Sequence, residues 1–528
     1  MPETRLGSAR LGAVLGLALL TLTVGLGSAG RLTYHEAFVA QAAREMIASG
    51  DLLTPTVGGL PWLEKPPLAI WFVVLLGRVV GGVSEAVARA PSVVAALALV
   101  LTVAMLAARR FGPAVGLLAG LIQATTAWTV ARGRLAEADI LLAALVALTL
   151  TAFDRLRSDP EQNSGVKFEN WRWVFFAGLG LTSLAKGVGF GAALVLSAAG
   201  LTMLWDRDRG ALKRLWFVKG WVLAAVIALT WPLLEALRHP SALGLWTLHI
   251  TDRFSAKPSH FAGQPTWEYA VTILAMLLPW TPLAIIGAFK SLPAAFGRGT
   301  SSAGPGAGRF GGERLFLAWT IGPLALLSLA TVKNSHYAIH ALPPCSIWAA
   351  QGLLRLGERF QRSRGWSPRN TRRTAFAGFA GLGLAYALGF LLLGPMLDRR
   401  GEEWAFYEQA SGKLRLGEHV ALLYHVPEWD RLPYDTPFGP VPHDFAVRLY
   451  YLGRPATCRF DMAELAKGES NLSSFAVLGR ASDEPGLNKL GRVEMLAQGP
   501  PVRSDRTYRL YRVTPANIAG RAGESTRR

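Results

Sequence analysis

Cysteine is nearly absent from this chain of 528 residues, which contains only Cys345 and Cys458. Two cysteines this far apart exclude a disulfide framework and a cysteine-based metal site. Charged residues are also few, at 17% of the chain, whereas a typical soluble domain has roughly 25%. Because 51% of the residues are hydrophobic and the mean hydropathy is positive, the composition excludes a disordered chain or a coiled coil. It indicates a polytopic membrane protein.

A glycine-rich phosphate loop is missing as well, and so is a short-period internal repeat. The missing loop predicts that the chain uses no nucleotide cofactor. The net charge is +19, from 55 lysines and arginines against 36 acidic residues, and such an excess can indicate a nucleic-acid partner. The basic residues concentrate in the loops between the apolar runs, as they do in the cytoplasmic loops of membrane proteins. This explains the charge excess, so we expect no nucleic-acid partner.

Long apolar runs recur along the first three quarters of the chain. A helix that crosses a bilayer needs about 20 apolar residues. The runs predict eleven spans, at 11–28, 92–108, 113–132, 139–153, 173–187, 188–205, 217–235, 270–289, 315–332, 337–353 and 374–396. Residues 1–397 therefore form an all-α membrane domain with about 11–13 transmembrane helices.

Basic residues set the predicted orientation, because they concentrate in cytoplasmic loops. With eleven spans, Arg109-Arg110 and the strongly basic loop 355–373 fall on the same, cytoplasmic side. Residues 67–84 could cross the membrane, but this would move Arg109-Arg110 outside. We therefore interpret them as a juxtamembrane helix within a long external loop, 29–91, and place a second external loop at 236–268.

The character of the chain changes after Met396. Residues 398–515 predict a small α/β domain, which the odd number of spans places outside the cytoplasm, and 516–528 predict a disordered tail. Alternating and apolar runs predict strands at 419–426, 444–453, 474–481, 492–499 and 507–513. Short helices are predicted at 461–468 and 484–491.

Polar side chains cluster on the predicted external face, where they indicate function. They are His35, Glu36, Glu64, Lys65, Asp139, Lys186, His249, Arg253, Lys333, His336 and Tyr337. If the external loops converge, one cavity holds carboxylates, imidazoles and cations. Sugar transfer from a lipid phosphate needs such a set: a base takes a proton from the acceptor hydroxyl, and cations stabilise the departing phosphate. A transporter or flippase of a lipid-linked sugar is the alternative. Charges in loops rather than at mid-span favour the enzyme.

Six blocks of sequence resemble one family, in the family's order. They lie at 34–71, with "REM" and "EKPP", and at 88–112, 132–143, 183–191, 248–269 and 332–344. The chain resembles the polyprenyl-phosphate-sugar-dependent glycosyltransferases of the membrane GT-C class. The similar members are the bacterial aminoarabinose transferases acting on lipid A and the dolichyl-phosphate-mannose protein mannosyltransferases.

The resemblance implies the GT-C fold and an inverting transfer on the outer face of the plasma (inner) membrane. The donor would be a polyprenyl-phosphate sugar, and the acceptor a lipid, glycan or protein hydroxyl. It also implies residue roles: Lys65, Arg253, Lys333, His336 and Tyr337 at the donor phosphate, and Glu64 and His249 as ligands of a divalent metal such as Zn, Mg or Mn. Asp139 matches an acidic family position.

One departure from the family concerns the general base. The family's first-loop aspartate is His35 here, followed by Glu36. His35, Glu36 or Asp139 could therefore take the proton. We expect Glu36 to be the base, with His35 positioning donor or acceptor, so that Glu36→Gln is nearly inactive.

Overall fold

The computed structural model describes residues 6–27, 30–157, 168–247, 264–297, 312–398, 401–424, 444–500 and 507–516. The chain divides into two compact units. The first, called the helical unit below, consists of Met1–Leu26, Glu64–Val73 and Arg89–Leu391. The second, called the sheet unit, consists of Gly27–Leu63, Val74–Ala88 and Leu392–Arg528.

Helices dominate the first half of the chain, with one short hairpin between them. The elements are α1 (Ser8–Thr23), α2 (Tyr34–Ser49), β1 (Thr56–Val57), β2 (Leu60–Pro61), α3 (Leu68–Val80), α4 (Glu85–Phe111), α5 (Pro113–Thr125), α6 (Ala127–Gly133), α7 (Ala138–Arg157), α8 (Phe168–Lys186), α9 (Phe190–Asp206), α10 (Arg209–Leu215) and α11 (Val218–Arg238).

The second half continues with helices and ends in a sheet. Its helices are α12 (Glu268–Met276), α13 (Thr281–Ala295), α14 (Gly312–Ser328), a 3₁₀ helix (Ser335–Ala341), α15 (Leu342–Arg364) and α16 (Pro368–Leu388). Then follow α17 (Gly401–Ser411), β3 (Val420–Leu423), α18 (Phe445–Leu452), β4 (Thr457–Arg459), α19 (Met462–Gly468), β5 (Phe475–Arg480), α20 (Glu484–Asn488), β6 (Gly491–Gln498) and β7 (Tyr508–Pro515).

Each predicted span coincides with a helix or a pair of helices. Among the described residues, α4, α11 and the helical run Pro368–Met396 are long and apolar enough to cross a membrane. The bent pairs α5–α6 and α12–α13 bring this number to five if each pair crosses as one span. These helices agree with a polytopic membrane protein, whereas the span number and orientation stay predictions. Helix α3 has 13 residues, about 20 Å, and is too short to cross alone.

The bends have local causes. Helix α6 turns by 59° from α5, where Thr125 and Thr126 donate their hydroxyls back to the carbonyl oxygens of Leu121 and Ile122 at 2.7 and 2.8 Å. Such back-bonding competes with the helical ladder and bends helices. The turn of 118° between α12 and α13 contains Pro279, which has no N–H to donate.

Glycine allows close packing between α13 and α15 in the helical unit. A Cβ at Gly287 would overlap the backbone of Trp348, and one at Gly352 would overlap the backbone of Leu283. Small residues at helix crossings let backbones approach, which is the usual way that membrane helices associate. This crossing fixes α15, at whose N-terminus the 3₁₀ helix Ser335–Ala341 lies.

The sheet unit contains a five-stranded sheet in the order β4-β3-β5-β7-β6. Strand β3 is parallel to β4 and β5, whereas β7 is antiparallel to β5 and β6. One face buries a core from strands and helices: Ala421, Leu423, Leu465, Phe475, Val477, Leu487, Tyr511 and Val513. The predicted strands at β3, β5, β6 and β7 are confirmed, and so are the helices at α19 and α20.

The predicted strand at 444–453 is wrong, because Phe445–Leu452 form helix α18. All eight residues of α18 are buried, and a short run that is buried on every side has no periodicity to separate helix from strand. Gly453 ends the helix in the left-handed conformation, with φ of 61°. The sequence prediction also lacked β4 and α17.

The N-terminal part of the predicted external loop belongs to the sheet unit rather than to a loop of the membrane domain. Helix α2 packs against α18, and the Arg44 guanidinium donates to the carbonyl oxygens of Tyr450 and Val83 at 2.6 and 2.9 Å. Segments 27–63 and 74–88, which the sequence analysis counted within 1–397, thus join the C-terminal residues in one compact unit.

Glu45 organises the hairpin of β1 and β2. Its carboxylate accepts hydrogen bonds from the Thr56 hydroxyl and from the N–H groups of Gly58 and Gly59, at 2.8, 2.7 and 3.0 Å. Both glycines have positive φ, 65° and 74°, as a tight hairpin turn requires. The "REM" block is therefore structural at Arg44 and Glu45.

We expect Gly58→Ala to destabilise the protein more than Gly59→Ala. Both substitutions place a side chain at positive φ, which costs about 1 kcal/mol. Only a Cβ at Gly58 meets a neighbour, since it would lie 2.6 Å from Cζ of Phe445, whereas Gly59 has nothing within 4 Å. Thermal unfolding of both variants in detergent measures the difference. Equal melting temperatures would contradict this account of the turn.

Candidate active site

A cluster of charged side chains forms in the helical unit where α7 begins and α8 ends. Asp139 lies in the first turn of α7 and Lys186 in the last turn of α8, and the two helices pack against each other. A helix N-terminus stabilises an anion and a C-terminus a cation. The Lys186 ammonium donates to a carboxylate oxygen of Asp139, and the two side chains are 9% and 8% exposed.

The 3₁₀ helix brings an imidazole and a phenol to this ion pair. Nε2 of His336 lies 4.0 Å from Oδ1 of Asp139, and Nζ of Lys186 lies 4.4 Å from the ring centroid of Tyr337. The His336 and Tyr337 rings meet edge to face at 4.6 Å. Burial, together with the Lys186 ammonium, lowers the pKa of His336 to about 3. The imidazole is therefore neutral at physiological pH and is a weak proton acceptor.

Lys65 supplies a second cation to the cluster. Burial alone would lower the pKa of Lys65, but the carboxylates of Glu64 and Asp139 outweigh it and raise the pKa above its ordinary value. The side chain stays protonated. Within the described part of the chain, the Lys65 ammonium has electrostatic neighbours but makes no hydrogen bond and no salt bridge within 4 Å. It is therefore available to an anionic ligand, whereas Lys186 is committed to Asp139.

A neighbouring pair, Arg132 and Glu137, was not predicted from sequence. The Arg132 guanidinium donates to the Glu137 carboxylate and lies 4.9 Å from the ring centroid of Trp128. Burial raises the pKa of Glu137, and Asp139 adds to this while Arg132 opposes it. The only sequence signal for this ion pair is that Arg132 and Glu137 are five residues apart within the block 132–143. An arginine and a glutamate at this spacing are too common to predict an ion pair.

Two other cations of the helical unit, Lys333 and Arg134, have structural partners. The Lys333 ammonium donates to the carbonyl oxygens of Gln264 and Ala330 at 3.0 and 2.6 Å, which ties the segment before the 3₁₀ helix to Gln264. Arg134 donates to the carbonyl oxygens of Thr21 and Val24 at 3.1 and 2.7 Å, where α1 ends. The role of Lys333 at the donor phosphate stays a prediction. In the structure its ammonium holds the backbone at Gln264 and Ala330.

The predicted metal site cannot be traced in the structure. His249 and Arg253 lie outside the described residues, while Glu64 is half-buried beside Lys65. Among the residues that are described, no three His, Cys, Asp or Glu side chains are grouped to hold a metal ion. Glu64 and His249 as ligands therefore stay a prediction, and no step below uses a metal.

His35 and Glu36 belong to the sheet unit, and the structure gives Glu36 a role that the sequence analysis did not consider. Glu36 is fully buried at the start of α2. Its carboxylate accepts from the Thr33 N–H at 2.9 Å, and the Thr33 hydroxyl accepts from the Glu36 N–H at 3.4 Å. This is a capping box. His35 is exposed and its ring lies 4.1 Å from that of Tyr34.

We expect Glu36→Gln to keep most of its activity and stability, contrary to the expectation from sequence, because a glutamine oxygen also accepts the Thr33 N–H. Glu36→Ala loses the cap and should unfold more easily, by about 1 kcal/mol. Turnover and melting temperature of the two variants test this. An inactive but stable Glu36→Gln would restore Glu36 as the general base.

Comparison with known proteins gives the class. Residues 64–233 match the model of the dolichyl-phosphate-mannose-protein mannosyltransferase family. The chain is 30% identical over 337 residues to the undecaprenyl phosphate-alpha-4-amino-4-deoxy-L-arabinose arabinosyl transferase of Edwardsiella ictaluri, which covers 62% of this chain and 56% of that protein. It is 29% identical over 450 residues to such a transferase from Sodalis glossinidius, covering 80% of this chain and 69% of the relative.

A solved structure shares the fold over nearly the whole chain. The crystal structure of ArnT from Cupriavidus metallidurans bound to undecaprenyl phosphate matches with a TM-score of 0.71 and 20% identity, covering 94% of this chain and 97% of that one. These matches confirm the resemblance to the GT-C glycosyltransferases. Both transferase relatives are longer than this chain, which spans 56% of the length of the first and 69% of the length of the second.

Proposed function

We propose that the chain is a membrane glycosyltransferase that moves a sugar from a polyprenyl-phosphate carrier to an acceptor hydroxyl on the extracytoplasmic face, with inversion. The observation that carries the proposal is the Lys65 ammonium, half-buried beside Asp139 and Tyr337 and without a hydrogen bond among the described residues. Lys65 lies within 64–233, the part that matches the mannosyltransferase family. The printed names of the relatives support a polyprenyl-phosphate donor.

In the proposed reaction the acceptor oxygen attacks C1 of the sugar, and the bond between C1 and the phosphate oxygen breaks. The electron pair leaves with the phosphate, whose negative charge grows in the transition state. A fixed cation stabilises this charge most strongly at that point. Lys65 has this role. Asp139 and Lys186 hold each other in place, and Tyr337 packs against Lys186.

The acceptor proton goes to a base. We leave the base unassigned among His35, Glu36 and Asp139: in the structure Asp139 pairs with Lys186, and Glu36 caps α2. Lipid, glycan and protein acceptors all remain within the proposal.

We expect Lys65→Ala to lower turnover by roughly a hundredfold, about 3 kcal/mol, without a matching loss of stability. Purified protein in detergent is given a polyprenyl-phosphate sugar and candidate acceptors, and the glycosylated product and released polyprenyl phosphate are measured by mass spectrometry. Lys213→Ala, an exposed lysine on α10, is the matched control.

The same assay separates the enzyme from a flippase. A flippase moves the intact donor across vesicle membranes and forms no product. Donor movement without product in the wild type, or a Lys65→Ala rate equal to that of the control, would overturn the proposal.

A further inference from the structure

A buried arginine in the sheet unit is surrounded by tyrosines. Arg448 on α18 is 1% exposed. Its guanidinium carbon lies 4.4 Å from the ring centroids of both Tyr424 and Tyr508, and 5.9 Å from that of Tyr407. We call Arg448 with Tyr424 and Tyr508 the tyrosine cage, and Tyr407 lies farther away, outside it. Cation–π contacts hold the guanidinium in place but use none of its N–H groups.

Several polar groups of the cage lack partners. Nη2 of Arg448 donates to the Asp444 carboxylate at 2.7 Å. Its Nε and Nη1, and the buried hydroxyl of Tyr424, have no hydrogen-bond partner within the residues that the structure describes. Tyr407 differs, since its hydroxyl donates to Glu403 at 3.0 Å. Buried donors are almost always paired, so three unpaired groups at one place need an explanation.

The cage lies where open α/β sheets bind ligands. Tyr424 directly follows Leu423, the last residue of β3, and Tyr508 pairs with Arg480, the last residue of β5. These are the carboxyl ends of two adjacent parallel strands. In the sheet, β4 lies on one side of β3 and β5 lies on the other side. The order of the strands therefore reverses at β3. Ligands of open sheets bind in the crevice at such a switch point.

The unpaired groups are donors. Burial alone would lower the pKa of Arg448, but the neighbouring tyrosine oxygens and Asp444 raise it, so the guanidinium stays charged. Burial raises the pKa of Tyr424, which keeps its hydroxyl protonated. Guanidinium N–H groups and a phenol O–H match an oxyanion. Access is available at the edge of the cage, where the Asp444 side chain is 40% exposed.

We propose that the tyrosine cage binds an oxyanion, a phosphate or carboxylate group, which accepts hydrogen bonds from Arg448 and from the Tyr424 hydroxyl. The site is contained in the sheet unit and does not depend on the proposed glycosyltransferase activity. A free anion and the headgroup of an anionic lipid offer the same chemistry.

The test is calorimetric titration of the full chain in phosphatidylcholine nanodiscs with inorganic phosphate, and separately with acetate. All titrations use the Lys65→Met background, so that the cluster of the helical unit does not contribute. We expect saturable binding. Tyr424→Phe removes one hydrogen bond to a charged group and should weaken it about tenfold, and Arg448→Met should abolish it. Tyr407→Phe is the matched control and should bind as the parent does.

A second arm identifies the source of the anion. Nanodiscs that contain phosphatidic acid should lower the apparent affinity for inorganic phosphate if the cage takes a lipid headgroup, and leave it unchanged if it takes a free anion. Because Arg448→Met could impair folding, the decisive comparison is Tyr424→Phe against Tyr407→Phe at equal melting temperatures. Absence of saturable binding of phosphate and acetate in all discs, or equal affinities of the two tyrosine variants, would overturn the proposal.

Discussion

The ion pair between Asp139 and Lys186 is the interaction on which the helical unit's cluster depends. Both side chains are nearly buried, and a buried charge is tolerated only when a partner compensates it. The pair fixes the start of α7 against the end of α8, and it places a cation beside Tyr337 and a carboxylate near His336. Because Asp139 is already paired with Lys186, the Lys65 ammonium is left without a hydrogen-bonded carboxylate among the described residues and can meet an anionic ligand.

Apolar run length made the helices predictable, since each predicted span coincides with a helix or a bent pair. The sequence analysis identified five residues of the cluster as unusual polar residues in an apolar chain: Asp139, Lys186, Lys65, His336 and Tyr337. Their pairing was not predictable, because it depends on which helix ends meet in three dimensions. The capping role of Glu36, in contrast, has a local sequence signal, which is Thr33 followed by a glutamate three residues later. It was not predicted, because the family resemblance pointed to a catalytic role at this position.

Buried charge in this chain does not by itself indicate catalysis. Arg134 and Lys333 are as buried as Asp139, yet their N–H groups donate to carbonyl oxygens at helix ends and turns. Lys65 differs because no such acceptor holds it among the described residues. Hydrogen-bond partners also distinguish Arg448 from Arg44. The Arg44 guanidinium donates to the carbonyl oxygens of Tyr450 and Val83, whereas Nε and Nη1 of Arg448 have no partner among the described residues. The partners of a charge therefore distinguish a structural role from a ligand site.

The most direct measurement of the central claim is the affinity for undecaprenyl phosphate of Lys186→Met and of Lys186→Met/Asp139→Asn, each purified and folded. Removing Lys186 alone leaves the Asp139 carboxylate to pair with Lys65, so the account predicts weakened binding. Removing both charges frees Lys65 again, and the double variant should bind more tightly than the single one. A double variant that binds no better than Lys186→Met would contradict the claim that the ion pair reserves Lys65 for the phosphate.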